Sequence, residues 1–186
     1  MATARDIRDE IVADRESGAR LLVAEYGDRL YAAACLLCKN DSDAEELVFR
    51  TFERAVSRIG QYEPRGDFFS WLYVIMRNFR RMDLRRRQLD VVSVGTAADL
   101  PEVEDTSLVD ALSGVDAEAI RRALAKMPFI LSEVLVLRFF EGRSMKEIAV
   151  IADVPVGTVK SRLHNAKAVL RQALATEGMR DCGGES

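Results

Sequence analysis

The chain has 186 residues, enough for one ordinary domain or two small ones. Hydrophobic residues make up 48% and charged residues 31%, so the chain can bury a core and stay soluble. Net charge is −3, whereas a simple non-specific DNA binder is usually basic overall.

The distribution of charge says more than its sum. Arg77, Arg80, Arg81, Arg85, Arg86 and Arg87 crowd one stretch, opposed there only by Asp83. Glu102, Glu104, Asp105, Asp110, Asp116 and Glu118 follow with no base among them, and bases return with Arg143, Lys146, Lys160, Arg162, Lys167 and Arg171. Basic, acidic, basic is the pattern of two phosphate-binding surfaces separated by an acidic segment.

Gly and Pro are sparse and no Val/Ile/Thr-rich alternation recurs, which points to an all-α protein. From about Asp6 to Arg87 the chain reads as helical almost throughout. Leu21, Leu22, Leu30, Leu36 and Leu37 recur at helical spacing. Asn40 to Asp43 is a turn in which Asp41 or Ser42 is placed to cap the next helix. That helix carries Ala44, Leu47, Val48, Thr51, Phe52, Ala55 and Ile59 as one stripe. Gly60 to Asp67 is a loop, and a third helix carries Phe69, Leu72, Tyr73, Met76 and Phe79 into the arginine run. Periodicity fades from Gln88 to Val115, which reads as an acidic, flexible linker. A second helical block runs from Asp116 to about Ala175, and residues 176–186 read as a frayed polar tail. The expected architecture is two small helical domains, 1–87 and 116–175, joined by the linker 88–115.

Ser144-Met145-Lys146-Glu147 fits a capping box, and Ile148, Ala149 and Ile151 form the buried side of a short helix. Asp153-Val154-Pro155 breaks it, because Pro lacks an N–H and disfavours helix at the residue before it. A second helix starts near Pro155 or Val156, with Val159, Leu163, Ala166 and Leu170 inward. Its outer side carries Gly157, Ser161, His164 and Ala168, flanked by Lys160, Arg171 and Asn165. A short helix, tight turn and longer helix with that polar, basic face suit the DNA major groove: Ser161, His164 and Asn165 reach base edges, and Lys160 and Arg171 reach phosphates. On pattern alone, an amphipathic hairpin with a solvated face is the alternative.

At these residues the chain resembles a known family. Met127-Pro128, Glu133 through Gly142, and Ser144 through Leu163 with its Pro155-Val156-Gly157-Thr158-Val159-Lys160-Ser161-Arg162-Leu163 ending resemble region 4 of bacterial sigma-70 factors. The N-terminal block agrees independently. Asp43-Ala44-Glu45-Glu46-Leu47-Val48 with Thr51-Phe52 and Ala55 resembles region 2.2. Phe69-Ser70-Trp71-Leu72, Arg77-Asn78, Asp83-Leu84 and Arg85-Arg86-Arg87 resemble regions 2.3 and 2.4. The similarity is closest to the extracytoplasmic-function (ECF) group. Phe49 stands where the family usually has Gln, followed by Arg50 rather than an acid.

The resemblance implies a protein that binds core RNA polymerase and directs it to promoter DNA. Region 2 then reads and melts the −10 element and region 4 reads the −35 element. Asp43, Glu45, Glu46, Leu47, Phe49 and Arg50 are the expected polymerase-docking residues. Tyr62 and Asn78, with Arg77, Arg80, Arg81, Arg85 and Arg86, are those expected at the −10 element, since aromatic faces stack on unpaired bases and arginines hold phosphates. Most other aromatics there, Trp71 especially, read as core. Thr158, Lys160, Ser161, His164, Asn165 and Arg171 are expected at the −35 element. The acidic linker reads equally as a nucleic-acid mimic in the polymerase cleft and as a solvated tether. The family also implies an anti-sigma factor as a partner.

No apolar run is long enough to insert in a membrane and Met1 to Glu10 lacks a signal-peptide core, so the expected location is cytoplasmic. The three cysteines suit a reducing compartment; Cys35 and Cys38 form C-x-x-C in an apolar helix and read as packed side chains rather than a metal or redox site. No P-loop, nucleophile constellation or metal set is present, so neither enzyme activity nor a cofactor is expected. A sigma-mimicking protein that binds an anti-sigma factor without binding DNA is the alternative, against which the arginine run and the polar helix face both argue.

Overall fold

The structure is a computed structural model. It describes residues 3–62, 67–87 and 114–181, with side chains through residue 176. The described residues are helical and contain no strand. The chain divides into two compact units, Met1–Leu89 and Asp90–Ser186. The linker expected at 88–115 lies outside the described residues except for Gly114 and Val115.

The first unit holds four helices, α1 (Ala4–Ala13), α2 (Arg15–Leu37), α3 (Asp41–Arg58) and α4 (Phe68–Arg86). Thr3 and Asp6 close a capping box on α1 (3.2 and 2.8 Å), satisfying two amides that the first turn leaves open. Asp14 ends α1 and at once caps α2, accepting from Glu16 N at 2.9 Å. A one-residue joint of this kind folds α1 back on α2. There Ile11 lies against Gly18, and Ile7 and Leu22 are fully buried. Asn40, rather than Asp41 or Ser42, caps α3, accepting from Asp43 N at 2.8 Å. The cap falls earlier than the sequence suggests because Asp41 and Ser42 already lie in the first turn. A short 3₁₀ turn, Ile59–Gln61, ends α3, and Asp67 caps α4.

The seam between α3 and α4 is antiparallel and polar at its rim. Arg50 Nη1 lies 2.9 Å from Asp83, and its guanidinium carbon sits 4.5 Å above the Phe79 ring. Arg54 lies over the same ring at 5.6 Å. One end of the seam is closed by Arg87, which donates to both Asp43 oxygens at 3.0 and 3.2 Å. Beneath this rim, Leu47, Phe52, Ala55, Phe69, Leu72, Tyr73 and Met76 form the core, where each large apolar side chain contributes about 1.5–3 kcal/mol.

The second unit holds α5 (Ala117–Lys126), α6 (Phe129–Leu135), α7 (Met145–Ala152) and α8 (Val156–Asp181). The expected capping box is present: Glu147 N donates to Ser144 Oγ at 3.3 Å and Ser144 N to Glu147 at 2.9 Å. After α6 the helix widens into a π turn, Val136–Phe140. Gly142 then takes φ 64°, a left-handed conformation that a side chain would strain, and Arg143 N closes on Leu137 O at 2.9 Å. Helix α8 runs to Asp181, so residues 176–181, expected to fray, continue the helix; 182–186 lie outside the described residues.

Two outcomes follow from this packing. A Cβ on Gly18 would stand 2.4 Å from Ile11 N, a backbone atom that cannot swing away. Gly18→Ala should therefore cost about 1–3 kcal/mol in urea unfolding, although alanine is the better helix former. Asp43 is held below the ordinary carboxylate value by its hydrogen bond to Arg87, which outweighs the opposing effect of burial. A lowered folded value means that the pair contributes fully above the usual Asp range and loses its contribution as pH falls through the lowered value. Arg87→Ala should remove about 0.5 kcal/mol at neutral pH, because Arg87 is half exposed, and should flatten the acid limb of thermal melts.

Candidate nucleic-acid interface

In the second unit, α7 and α8 form a helix-turn-helix. Asp153 ends α7 at φ 53°, ψ 54°, and Val154 N returns to Ala149 O at 3.0 Å, so a left-handed residue makes the turn before Pro155. Aspartate tolerates this conformation better than most side chains. Val159, Leu163, Ala166 and Leu170 are buried, as their spacing predicts. Gly157, Lys160, Ala168 and Arg171 are exposed, and His164 is partly exposed between them. At about 100° per residue these five share one face, with His164 at its centre. Asn165 and Thr158, both partly exposed, lie together on one flank. The Nδ1 of His164 is enclosed without a hydrogen-bond partner.

Ser161 departs from its expected place. It is 3% exposed and its hydroxyl donates to the Thr158 carbonyl at 3.0 Å, which withdraws it from any groove. The single apolar stripe underestimates the burial of α8, because α5, α6 and α7 all pack on that helix. Lys167 is buried for the same reason, its ammonium 5.6 Å from the Phe139 ring.

In the first unit the arginine run divides. Arg77 and Arg80 are 5% and 6% exposed, so neither forms part of a phosphate-facing surface. Arg80 Nε donates to Leu37 O at 3.1 Å, satisfying a carbonyl that the end of α2 leaves open. Helix geometry sets this division: positions 77, 80 and 84 turn to the same side as Phe69 and Tyr73. Asn78, Arg85 and Arg86 face solvent and Arg81 is partly exposed.

Tyr62 is also inside. Its ring meets Phe68 edge-on at 4.8 Å and Trp71 at 5.3 Å, and Phe68 in turn meets Tyr26 at 5.3 Å. The 3₁₀ turn, closed by Tyr62 N on Ile59 O at 3.1 Å, directs the ring inward, making it a packing element rather than a base platform. Residues 63–66 of the expected loop lie outside the described residues.

The expected polymerase-docking set separates as well. Leu47 is core. Asp43 and Arg50 are engaged across the seam with Arg87 and Asp83. Glu45, Glu46 and Phe49 remain outside, and Phe49 is 69% exposed, an apolar ring among acids. Sequence reading passed over Met82, exposed on α4 beside Asn78 and Arg85; counting helix faces along α4 would have found it. Cys38 is buried and Cys35 partly so, both as free thiols, with burial pushing the Cys38 thiol up to about 11. Among the described residues no group of three or more His, Cys, Asp or Glu is placed to hold a metal, and no helix is long and apolar enough to cross a membrane.

Comparison with known proteins finds the same family in both units. Residues 22–89 match the sigma-70 region 2 family and residues 117–170 match sigma-70 region 4. The chain is 32% identical over 155 residues to the ECF RNA polymerase sigma factor EcfG of Rhodopseudomonas palustris, covering 83% of each. It is 30% identical to SigW of Bacillus subtilis, covering 82% of this chain and 87% of that one. It is 35% identical to SigE of Mycolicibacterium smegmatis, of whose length it spans 60%. In fold it is similar to CnrH, solved in complex with the cytosolic domain of CnrY, at TM-score 0.64 and 24% identity, covering 94% of this chain and 98% of that one. It is similar too to the sigma factor RpoE from Bartonella quintana, at TM-score 0.64 and 23% identity, covering 85% and 97%. Two helical units, each with an outward cationic face, and two family matches in chain order lead to one assignment: the chain belongs to the ECF sigma factors of the sigma-70 family, which direct RNA polymerase to promoters.

Proposed function

We propose that the two faces divide promoter recognition between them. Residues 1–87 act at the −10 element through Asn78, Arg81, Arg85 and Arg86, and residues 116–175 act at the −35 element through Lys160, His164, Asn165, Thr158 and Arg171. Glu45, Glu46 and Phe49 meet core polymerase: an exposed aromatic ring among acids supplies a small apolar anchor with charges to orient it. The observation that carries this reading is the outward Lys160–His164–Arg171 face on a helix whose other side is locked in a core. Rigid support of that kind is what direct readout needs.

Strand separation by such a protein draws on binding energy, without nucleotide hydrolysis; the reading is of a non-enzymatic, cytoplasmic initiation factor. The Bartonella protein was solved bound to the anti-sigma factor NepR, and we assign this chain a partner of the same class.

Run-off transcription on genomic DNA, with and without the chain added to core polymerase, tests the reading. Defined starts that depend on the chain are expected, and an unchanged start profile contradicts it. Lys160→Ala should lower the slope of log K against log salt by about 0.9 while leaving sequence preference intact. His164→Ala and Asn165→Ala should each relax preference at one −35 position, by about 1–3 kcal/mol, measured across a set of single-base promoter variants. Equal weakening on every variant rejects base reading by these two. Asn78→Ala should leave the affinity for core polymerase unchanged and reduce open complexes, measured by permanganate reactivity of promoter thymines.

A further inference from the structure

The seam between α3 and α4 holds a hollow of about 220 Å³. Asp43, Glu46 and Arg50 line it from α3, and Arg80, Asp83, Arg86 and Arg87 line it from α4. Four guanidiniums therefore face three carboxylates there, and most of these are already matched. Arg87 takes both oxygens of Asp43, at 3.0 and 3.2 Å. Arg50 takes both oxygens of Asp83, at 3.1 and 2.9 Å. Glu46 stands at the rim, largely exposed and 3.8 Å from the same Arg50. Arg80 is the exception. It is 6% exposed, and its one hydrogen bond among the described residues runs from Nε to Leu37 O at 3.1 Å. Its two Nη groups have no hydrogen-bond partner among those residues and are not sealed off, so they open on the hollow. Cys38, which also lines the hollow, does not balance the charge, since burial pushes its thiol up to about 11 and keeps it neutral. Arg86 is exposed and has neither an ion pair nor a hydrogen bond among the described residues. With every acid of both helix walls counted, the hollow carries a surplus of one positive charge and two uncommitted guanidiniums.

We propose that this hollow binds one small monocarboxylate, held by both oxygens on the Nη edge of Arg80 and closed over by Arg86. Two N–H donors in a planar fork match the two oxygens of a carboxylate, which a lysine ammonium does not. The surplus of one charge suits a monoanion. Asp43, Glu46 and Asp83 repel the second charge of a phosphate dianion or a dicarboxylate. The volume leaves room for a short chain behind the carboxylate, so the ligand class is a small organic acid. It does not admit the phosphate backbone of a duplex, which agrees with the place of Arg80 off the DNA-facing surface. Since Arg80 also holds the Leu37 carbonyl, a bound ligand ties the end of α2 to the end of α4.

Acetate is the probe. The full chain is titrated with sodium acetate and, at equal ionic strength and neutral pH, with sodium chloride and sodium phosphate. The backbone amide resonances of Cys38, Asp43 and Asp83 are followed by NMR. Acetate should move them saturably, with half-effect at roughly 1–10 mM, the range open to so small a ligand. Chloride should leave them in place, and phosphate should bind at least about fivefold more weakly than acetate. Arg86→Gln should raise the half-effect concentration of acetate by about threefold to tenfold, and Arg80→Lys, which keeps the charge and loses the fork, should abolish saturation. Equal responses to acetate and chloride mean ionic screening only and overturn the site, as does a response to acetate that does not saturate. Phosphate binding more tightly than acetate overturns the carboxylate assignment. Wild-type affinity in Arg86→Gln overturns the proposal whether or not Arg80→Lys folds.

Discussion

The guanidinium of Arg50, held between the Asp83 carboxylate and the Phe79 ring, sets the register of α3 against α4. With that register in place, Asp43 meets Arg87, and the end of α2 offers the Leu37 carbonyl to Arg80. The outward faces follow. On α3 they present Glu45, Glu46 and Phe49; on α4, Asn78, Met82, Arg85 and Arg86. A slip of one residue would rotate each set by about 100° and bury a different arginine. The ion pair is worth little by itself at this degree of exposure. Its consequence is geometric, since it decides which charges are spent inside the unit and which remain for a partner.

The same division recurs in the second unit by a different route. There the left-handed Asp153 fixes the angle at which α8 leaves α7, and three helices close around α8. What stays outside is a narrow face of Lys160, His164 and Arg171 with two small residues along one edge of it, Gly157 and Ala168. Small residues let the helix backbone approach a groove, and the long cations reach past it to the phosphates. Each unit thus carries its own cationic face, while the chain as a whole carries a net charge of −3.

Most of the fold was readable in the sequence because helices advertise themselves by period: the buried stripe of α8, the capping box at Ser144 and the loop after Ile59 are all local features. The family motifs were equally readable, and they fixed the class. What was missed was the partition of like residues. Arg77 and Arg85 look alike in a run of arginines, but the helix period counted from Phe69 and Tyr73 turns Arg77 inward, and the packing of α4 buries it while Arg85 stays at the surface. Tyr62 has the composition of a base platform, but a ring next to Phe68 and Trp71 gains more from burial than from waiting for a ligand. Ser161 sits opposite the apolar stripe of α8 and is buried all the same, because one helix's period says nothing about how many neighbours surround it. Leu47 and Arg50 were drawn to the docking face by their place in a motif; one is core and the other is the seam itself.

The central claim is that helix geometry reserves only part of the arginine run for the promoter. Modification of arginines by phenylglyoxal, mapped by mass spectrometry with the chain in holoenzyme and then in a holoenzyme–promoter complex, tests it residue by residue. The account predicts that Arg85 and Arg86 react without DNA and are protected by it, while Arg77 and Arg80 stay unreactive in both states. Arg77 or Arg80 reacting freely in holoenzyme and becoming protected on promoter DNA would contradict it.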